Sequence, residues 1–140
     1  MARAAARAAT VVPVTQLQPD PVPNDGPSMH DLVIASLEGC KKAEAALEDH
    51  DEARWDAVIS LLRERRQTGI EWYGTTLQAG NGRDWLRDLR EELADAACYA
   101  MQGIVESGLD IMDGDWHPVV AAYDDVIMAL FELEGIKDER

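Results

Sequence analysis

The placement of proline constrains this chain more than any other feature. Five of the six, Pro13, Pro19, Pro21, Pro23 and Pro27, fall within the first 27 residues. Proline has no backbone N–H and a fixed φ, so a stretch this rich in it sustains neither a continuous helix nor a central strand. Residues 1–27 are therefore expected as a disordered, Pro-rich N-terminal arm, either a solvated tail or a docking arm for a partner or sister subunit. Residues 28–140 remain to fold, a length suited to one domain with one modest core.

Beyond the arm, four segments repeat apolar residues at helical spacing and none alternates over strand length. The first, 29–49, has Ser28 as its N-cap and carries Val33, Leu37 and Leu47 on one face, with Glu44 and Glu48 prolonging that stripe. In the second, 52–70, Trp55, Ile59 and Leu62 point inward, Glu64 and Glu71 fall on the far side, and Gly69 marks a fraying end. A loop follows, YGTTLQAGNG, with three glycines and an Asn-Gly turn signal. The third helix, 83–107, has the strongest pattern: Leu86, Leu89, Leu93, Ala97, Ala100 and Ile104 form one stripe, and Asp88, Glu92, Asp95, Tyr99, Gln102 and Glu106 the opposite one. The fourth, 118–134, opens on Pro118 and buries Val119, Tyr123, Val126, Ile127 and Leu130. Short connections between four helices predict an all-α fold, an antiparallel bundle. Such a bundle often completes its core by symmetric pairing, so a homodimer or higher even oligomer is expected. HDLVIASLEG at 30–39 is weakly similar to WDAVISLLRE at 55–64, consistent with a duplicated helix.

Charge narrows the function. With 27 acidic against 13 basic residues, the net charge of −14 excludes a sequence-independent grip on nucleic-acid polymers, which needs a surplus of Lys and Arg. Free nucleotides stay open as partners, because a bound divalent cation reverses the local sign of an acidic site. Cys40 and Cys98 stand far apart, outside any C-x-x-C spacing, and read as small core residues in a reducing compartment. There is no run of about 18 apolar residues to span a membrane, and MARAAARAAT lacks the apolar stretch of a secretory signal, so a cytoplasmic protein is expected. His30, His50 and His117 lack zinc-ligand spacing, and no G-x-S-x-G nucleophile motif is present. Trp55, Trp72, Trp85 and Trp116 lie near helix ends and read as bundle anchors, with base stacking the lesser reading for Trp72 and Trp85.

The chemistry-bearing constellation is on the third helix. In LREELADAACY, Glu92 and Asp95 stand at i and i+3, and Tyr99 follows four residues later on the same face. Two carboxylates one turn apart can present oxygens to one hard cation, with waters and substrate phosphate completing the shell. Glu91, about 60° aside, could serve a second ion or support the first. The competing reading is a solvated acidic stripe opposite a leucine stripe, although an aromatic such as Tyr99 is less expected there than Lys or Gln.

The segment 66–102, including GIEWYGTTLQAGNGRDWLRDLREELADAACYAMQ, resembles phage-encoded MazG-like proteins of the all-α nucleoside triphosphate pyrophosphohydrolase superfamily. That family pairs E-E-x-x-E on one helix with E-x-x-D on the next to hold Mg²⁺ against a triphosphate. Glu92 and Asp95 match the second half, and the Y-G-T-x-L-Q and N-G-R-D segments match the phage branch. No E-E-x-x-E precedes the loop. Glu64 and Glu71 are seven residues apart, about 10.5 Å along an ideal helix, so one ion cannot readily take both. Glu44 and Glu48 are better spaced but lie far upstream. The resemblance implies Mg²⁺, with Mn²⁺ as a substitute, held by Glu92 and Asp95, with Glu71 as ligand or base and Glu91 auxiliary. Glu71 and Glu92 would then be the catalytic residues. Arg83 would touch phosphate, Asn81 base or sugar, and Tyr99 the substrate, although Asn81 and Arg83 also suit a helix-start turn. The implied reaction is attack of water between the α- and β-phosphates of a nucleoside triphosphate, releasing a monophosphate and pyrophosphate. The rival reading is a catalytically silent helical protein on the same scaffold, serving in a virion, in assembly or in partner binding.

Overall fold

The computed structural model describes residues 18–111 and 116–136. These form four α-helices, α1 Met29–Glu44, α2 Glu52–Tyr73, α3 Trp85–Glu106 and α4 Pro118–Glu134, with no strand among the described residues. The all-α expectation holds. The chain divides into two compact units, Met1–Arg83 and Asp84–Arg140, so that α1 packs on α2 in one and α3 on α4 in the other.

Each helix starts where a side chain accepts otherwise unpaired backbone N–H groups. The Ser28 hydroxyl takes the Asp31 amide at 3.5 Å, and the Asp51 carboxylate takes that of Arg54 at 3.0 Å. Asp84 accepts from Leu86 and Arg87 at 3.1 and 3.2 Å, which sets the start of α3 at Trp85. At α4 the acceptor is Nδ1 of His117, 3.2 Å from the Val119 amide, and Pro118 occupies the first helical position, where no N–H is needed.

Two helix ends differ from expectation. α1 stops at Glu44 rather than running to residue 49, because Glu48 and Asp49 would put negative charge on the negative end of the helix dipole. α2 continues through Gly69 to Tyr73. A mid-helix glycine costs only about 1 kcal/mol, whereas Gly74 adopts φ 71°, a left-handed cap that other residues resist.

The first unit is an antiparallel hairpin, since its cross-helix pairs step backward along α2 as they step forward along α1. Asp31 meets Arg66 at 3.0 Å, Glu38 meets Arg63 at 3.7 Å, and Lys41 meets Asp56 at 2.6 Å. Near the turn the Trp55 indole N–H donates to Glu44 at 2.9 Å. The half-buried positions of α1 are Met29, His30, Ile34, Leu37, Lys41 and Glu44, a stripe that keeps the expected Leu37 but takes Ile34 in place of Val33. Val33 is therefore 45% exposed, and Leu47, beyond the helix, is 60% exposed. Glu44 does prolong the stripe, and its burial is explained by the indole.

In the second unit α3 and α4 are also antiparallel: the Arg90 guanidinium donates to the Leu133 carbonyl at 3.0 Å, and Gly103 faces Val119. A Cβ at Gly103 would lie 3.2 Å from a Val119 methyl, so the glycine permits the close approach. Apolar burial is thin. Among the described residues only Ile59, Leu86 and Ile104 are buried hydrophobics. Cys40 and Cys98, expected in the core, are exposed, as are Trp72, Trp85 and Trp116, expected as anchors. Each of these lies off the one stripe that its helix, or the helix beside it, buries against a single neighbour. Among the described residues no helix is long and apolar enough to cross a membrane.

Ile59, 1% exposed on α2, and Val33 make a controlled pair. Ile59→Ala should lower unfolding free energy by about 2–5 kcal/mol, whereas Val33→Ala should change it by less than about 1 kcal/mol, both read from denaturant midpoints.

Candidate functional site

Helix α3 presents Glu92, Asp95 and Tyr99 on one exposed face, as its periodicity predicts. Neither carboxylate forms a hydrogen bond or ion pair with another described residue. Tyr99 is 72% exposed. Glu91 differs: its carboxylate accepts from Nε of Arg87 at 2.8 Å, an i,i+4 pair that offsets its charge. Glu91 is thus engaged along the helix, beside the Glu92–Asp95 face.

Glu71, Asn81 and Arg83 belong to the first unit. Glu71, exposed near the end of α2, accepts from Gln67 at 3.1 Å. Asn81 is only 7% exposed, and its side-chain oxygen accepts the Arg83 amide at 3.1 Å. The Arg83 guanidinium donates to the Pro19 carbonyl at 2.9 Å. Both residues implied as substrate contacts therefore have structural tasks in the loop, in line with the helix-start turn.

Residues 18–27 of the expected arm form neither helix nor strand, as proline dictates, and bend at Asp25 and Gly26, but they are bonded to that loop; residues 1–17 lie outside the described residues. The Val22 amide donates to the Asn81 carbonyl and the Met29 amide to the Leu77 carbonyl, both at 2.8 Å. Gln78, 9% exposed, accepts from the Asn24 amide at 3.0 Å and donates to the carbonyls of Asn24 and Gly26 at 2.7 and 2.6 Å. Asn24 donates to the Ala79 carbonyl at 2.9 Å and caps its own turn by accepting from Gly26 at 2.7 Å. An Asn-x-Gly turn is legible in sequence. Nothing in sequence links Asn24 to Gln78, 54 residues apart, and so Gln78 carried no signal.

A second grouping lies in a shallow groove between α1 and α2, lined by Asp31, Ile34, Ala35, Arg63 and Arg66. Arg66 grips Asp31 side-on, with Nε 3.0 Å from one carboxylate oxygen and a terminal nitrogen 3.3 Å from the other. Beside it, Nδ1 of His30 is buried without a hydrogen-bond partner. Burial first, then the positive charges of Arg66 and Arg65, hold the His30 pKa below its ordinary value, against a smaller opposing pull from Asp31.

Among the described residues no three His, Cys, Asp or Glu side chains gather as a metal-holding group. Glu92 and Asp95 are hard oxygen donors one turn apart, a set that suits Mg²⁺ when substrate oxygens and water supply the remaining ligands. Comparison with known proteins returned nothing: no family, no curated protein and no solved structure matches this chain.

Because the native state binds the His30 proton less readily than the unfolded chain does, stability should fall as pH drops through the ordinary histidine range, around 6.5. His30→Gln should flatten the decline in melting temperature between pH 7 and pH 5. An equal slope in the variant would remove His30 as its cause.

Proposed function

We propose that this chain is a Mg²⁺-dependent nucleoside triphosphate pyrophosphohydrolase of the MazG-like kind, hydrolysing a free ribo- or deoxyribonucleoside triphosphate to a monophosphate and pyrophosphate in the cytoplasm.

 The observation that carries this reading is the exposed pair Glu92 and Asp95, two carboxylates at i,i+3 that no described residue neutralises, within the segment that resembles that family. Crowding like charges along one helix face costs a few tenths of a kcal/mol per pair, a cost that a cation at the face would offset. When bound there, Mg²⁺ would neutralise charge on the phosphate oxygens and acidify a water. Glu92 and Asp95 would hold the ion, and Tyr99, exposed one turn further on, offers a ring face against which a base can stack.

A second reading is favoured by a different observation. With no group of three potential ligands among the described residues and with α4 presenting Ile127, Met128 and Phe131 to solvent, the same chain suits a catalytically silent partner-binding or assembly protein. Both readings accommodate a homodimer or higher even oligomer, which the thin apolar burial within each unit supports. Light scattering should then give a particle of at least twice the 15.4 kDa chain mass at micromolar concentration, and a monomer would count against assembly.

Incubation with a panel of nucleoside triphosphates and Mg²⁺ separates the two readings. Release of pyrophosphate supports the enzyme, and its absence across the panel supports the silent protein. In an active enzyme, Glu92→Gln and Asp95→Asn should each reduce turnover by orders of magnitude and leave the Mg²⁺-free melting temperature unchanged or raised. Wild-type turnover in Glu92→Gln would sink the assignment of that residue.

A further inference from the structure

The Pro-rich segment 19–27 crosses the loop that follows α2, and hydrogen bonds supply most of its attachment. Val22 is 62% exposed; its amide bonds to Asn81, and its side chain only skirts Gly82, where an added Cβ would lie 3.9 Å from a Val22 methyl. Three of the bonds between segment and loop are made by one side chain, that of Gln78. Its carboxamide uses the oxygen for the Asn24 amide and the nitrogen for two carbonyls, those of Asn24 and Gly26, and it is itself buried. The turn that presents those carbonyls is tightly specified: a Cβ on Gly26 would fall 2.8 Å from the Asn24 side-chain oxygen.

We propose that Gln78 is a latch that holds residues 19–27 as a strap across the loop, and that the strap opens as a unit, without the helices and up to the Ser28 cap of α1, when the latch is lost. The energetic asymmetry supports this. Each hydrogen bond adds little net, because folding exchanges it for bonds to water, and a polar, exposed attachment falls at the low end of local opening free energies. The helices are held differently, by burial of Ile59 and by cross-helix ion pairs away from the strap. Opening also withdraws the Pro19 carbonyl from the Arg83 guanidinium, so the latch governs one of the groups around that arginine. The inference does not depend on the catalytic reading.

Gln78→Glu tests it, because the substitution preserves shape and the acceptor for the Asn24 amide but replaces the two N–H donors with a carboxylate oxygen facing two carbonyls. Hydrogen exchange of the full chain would be read as protection factors. The Val22 amide, bonded to Asn81 and not to Gln78, is the reporter. At pH 7 its protection should fall about tenfold or more while amides inside α1 and α2 stay within about twofold of wild type. Near pH 4, where a carboxyl regains its proton and one donor, part of the Val22 protection should return. Asn24→Ala, which removes the turn and the bond to Ala79, should release Val22 at both pH values. Unchanged Val22 protection in Gln78→Glu at pH 7 would overturn the latch. An equal loss across α1 and α2 would overturn it too, since Gln78 would then support the whole unit.

Discussion

Within each unit a helix has one helical partner and can bury only one stripe against it, and the organisation of each unit follows from that limit. α1 and α2 bury one stripe each, as do α3 and α4, so three apolar side chains reach full burial among the described residues while Trp72, Tyr99, Trp116 and Phe131 remain exposed. The hairpins compensate with polar links. Glu44 accepts the Trp55 indole, Lys41 bridges Glu52 and Asp56, and Arg90 ties to the end of α4. Most of these groups are partly solvated, so they align the helices more than they stabilise them.

Charge is distributed as unevenly as burial. The second unit, Asp84–Arg140, holds 15 of the 27 acidic residues and four of the 13 basic ones. Its strongest acidic stripe lies on α3, opposite the leucine stripe. An arginine one turn before Glu91 relieves part of that repulsion, and Glu92 and Asp95 are left to water or to a cation. In the first unit Arg63, Arg65 and Arg66 gather on α2, where Arg63 and Arg66 pair across the hairpin and Arg66 and Arg65 add to the burial that lowers the basicity of His30.

Much of this was legible in sequence and some was not, for identifiable reasons. Helical periodicity located all four helices and most of the α3 stripes, because about six turns of consistent pattern leave little ambiguity of phase; Leu89, expected inward, is 40% exposed. On α1 the pattern is short and mixed with Ala, Gly and Ser, so Val33 was as good an inward candidate as Ile34, and only packing against α2 decides between them. The acidic pair at Glu92 and Asp95 could be read as sharing a face, since a single helix determines it. The turn that Asn81 makes onto the Arg83 amide could be read too, since it is local, whereas the Arg83 bond to Pro19 could not, because it joins residues 64 apart. Gly69 misled for a related reason: a glycine weakens a helix locally, whereas Gly74 ends it through a backbone angle that composition alone does not reveal.

The strap has a consequence for the order in which the chain acquires its structure. The helix pairs of the first unit join residues 11–35 apart, but the strap bonds join residues 52–64 apart. Contacts between distant residues form late because the intervening chain must first be brought together, and the α1–α2 hairpin does this by folding back on itself. During synthesis at about 5–20 residues per second, Pro19 would emerge on the order of 3–13 s ahead of Arg83. For that interval the segment made early has no partner, and its prolines keep it from committing to a helix or a strand while it waits.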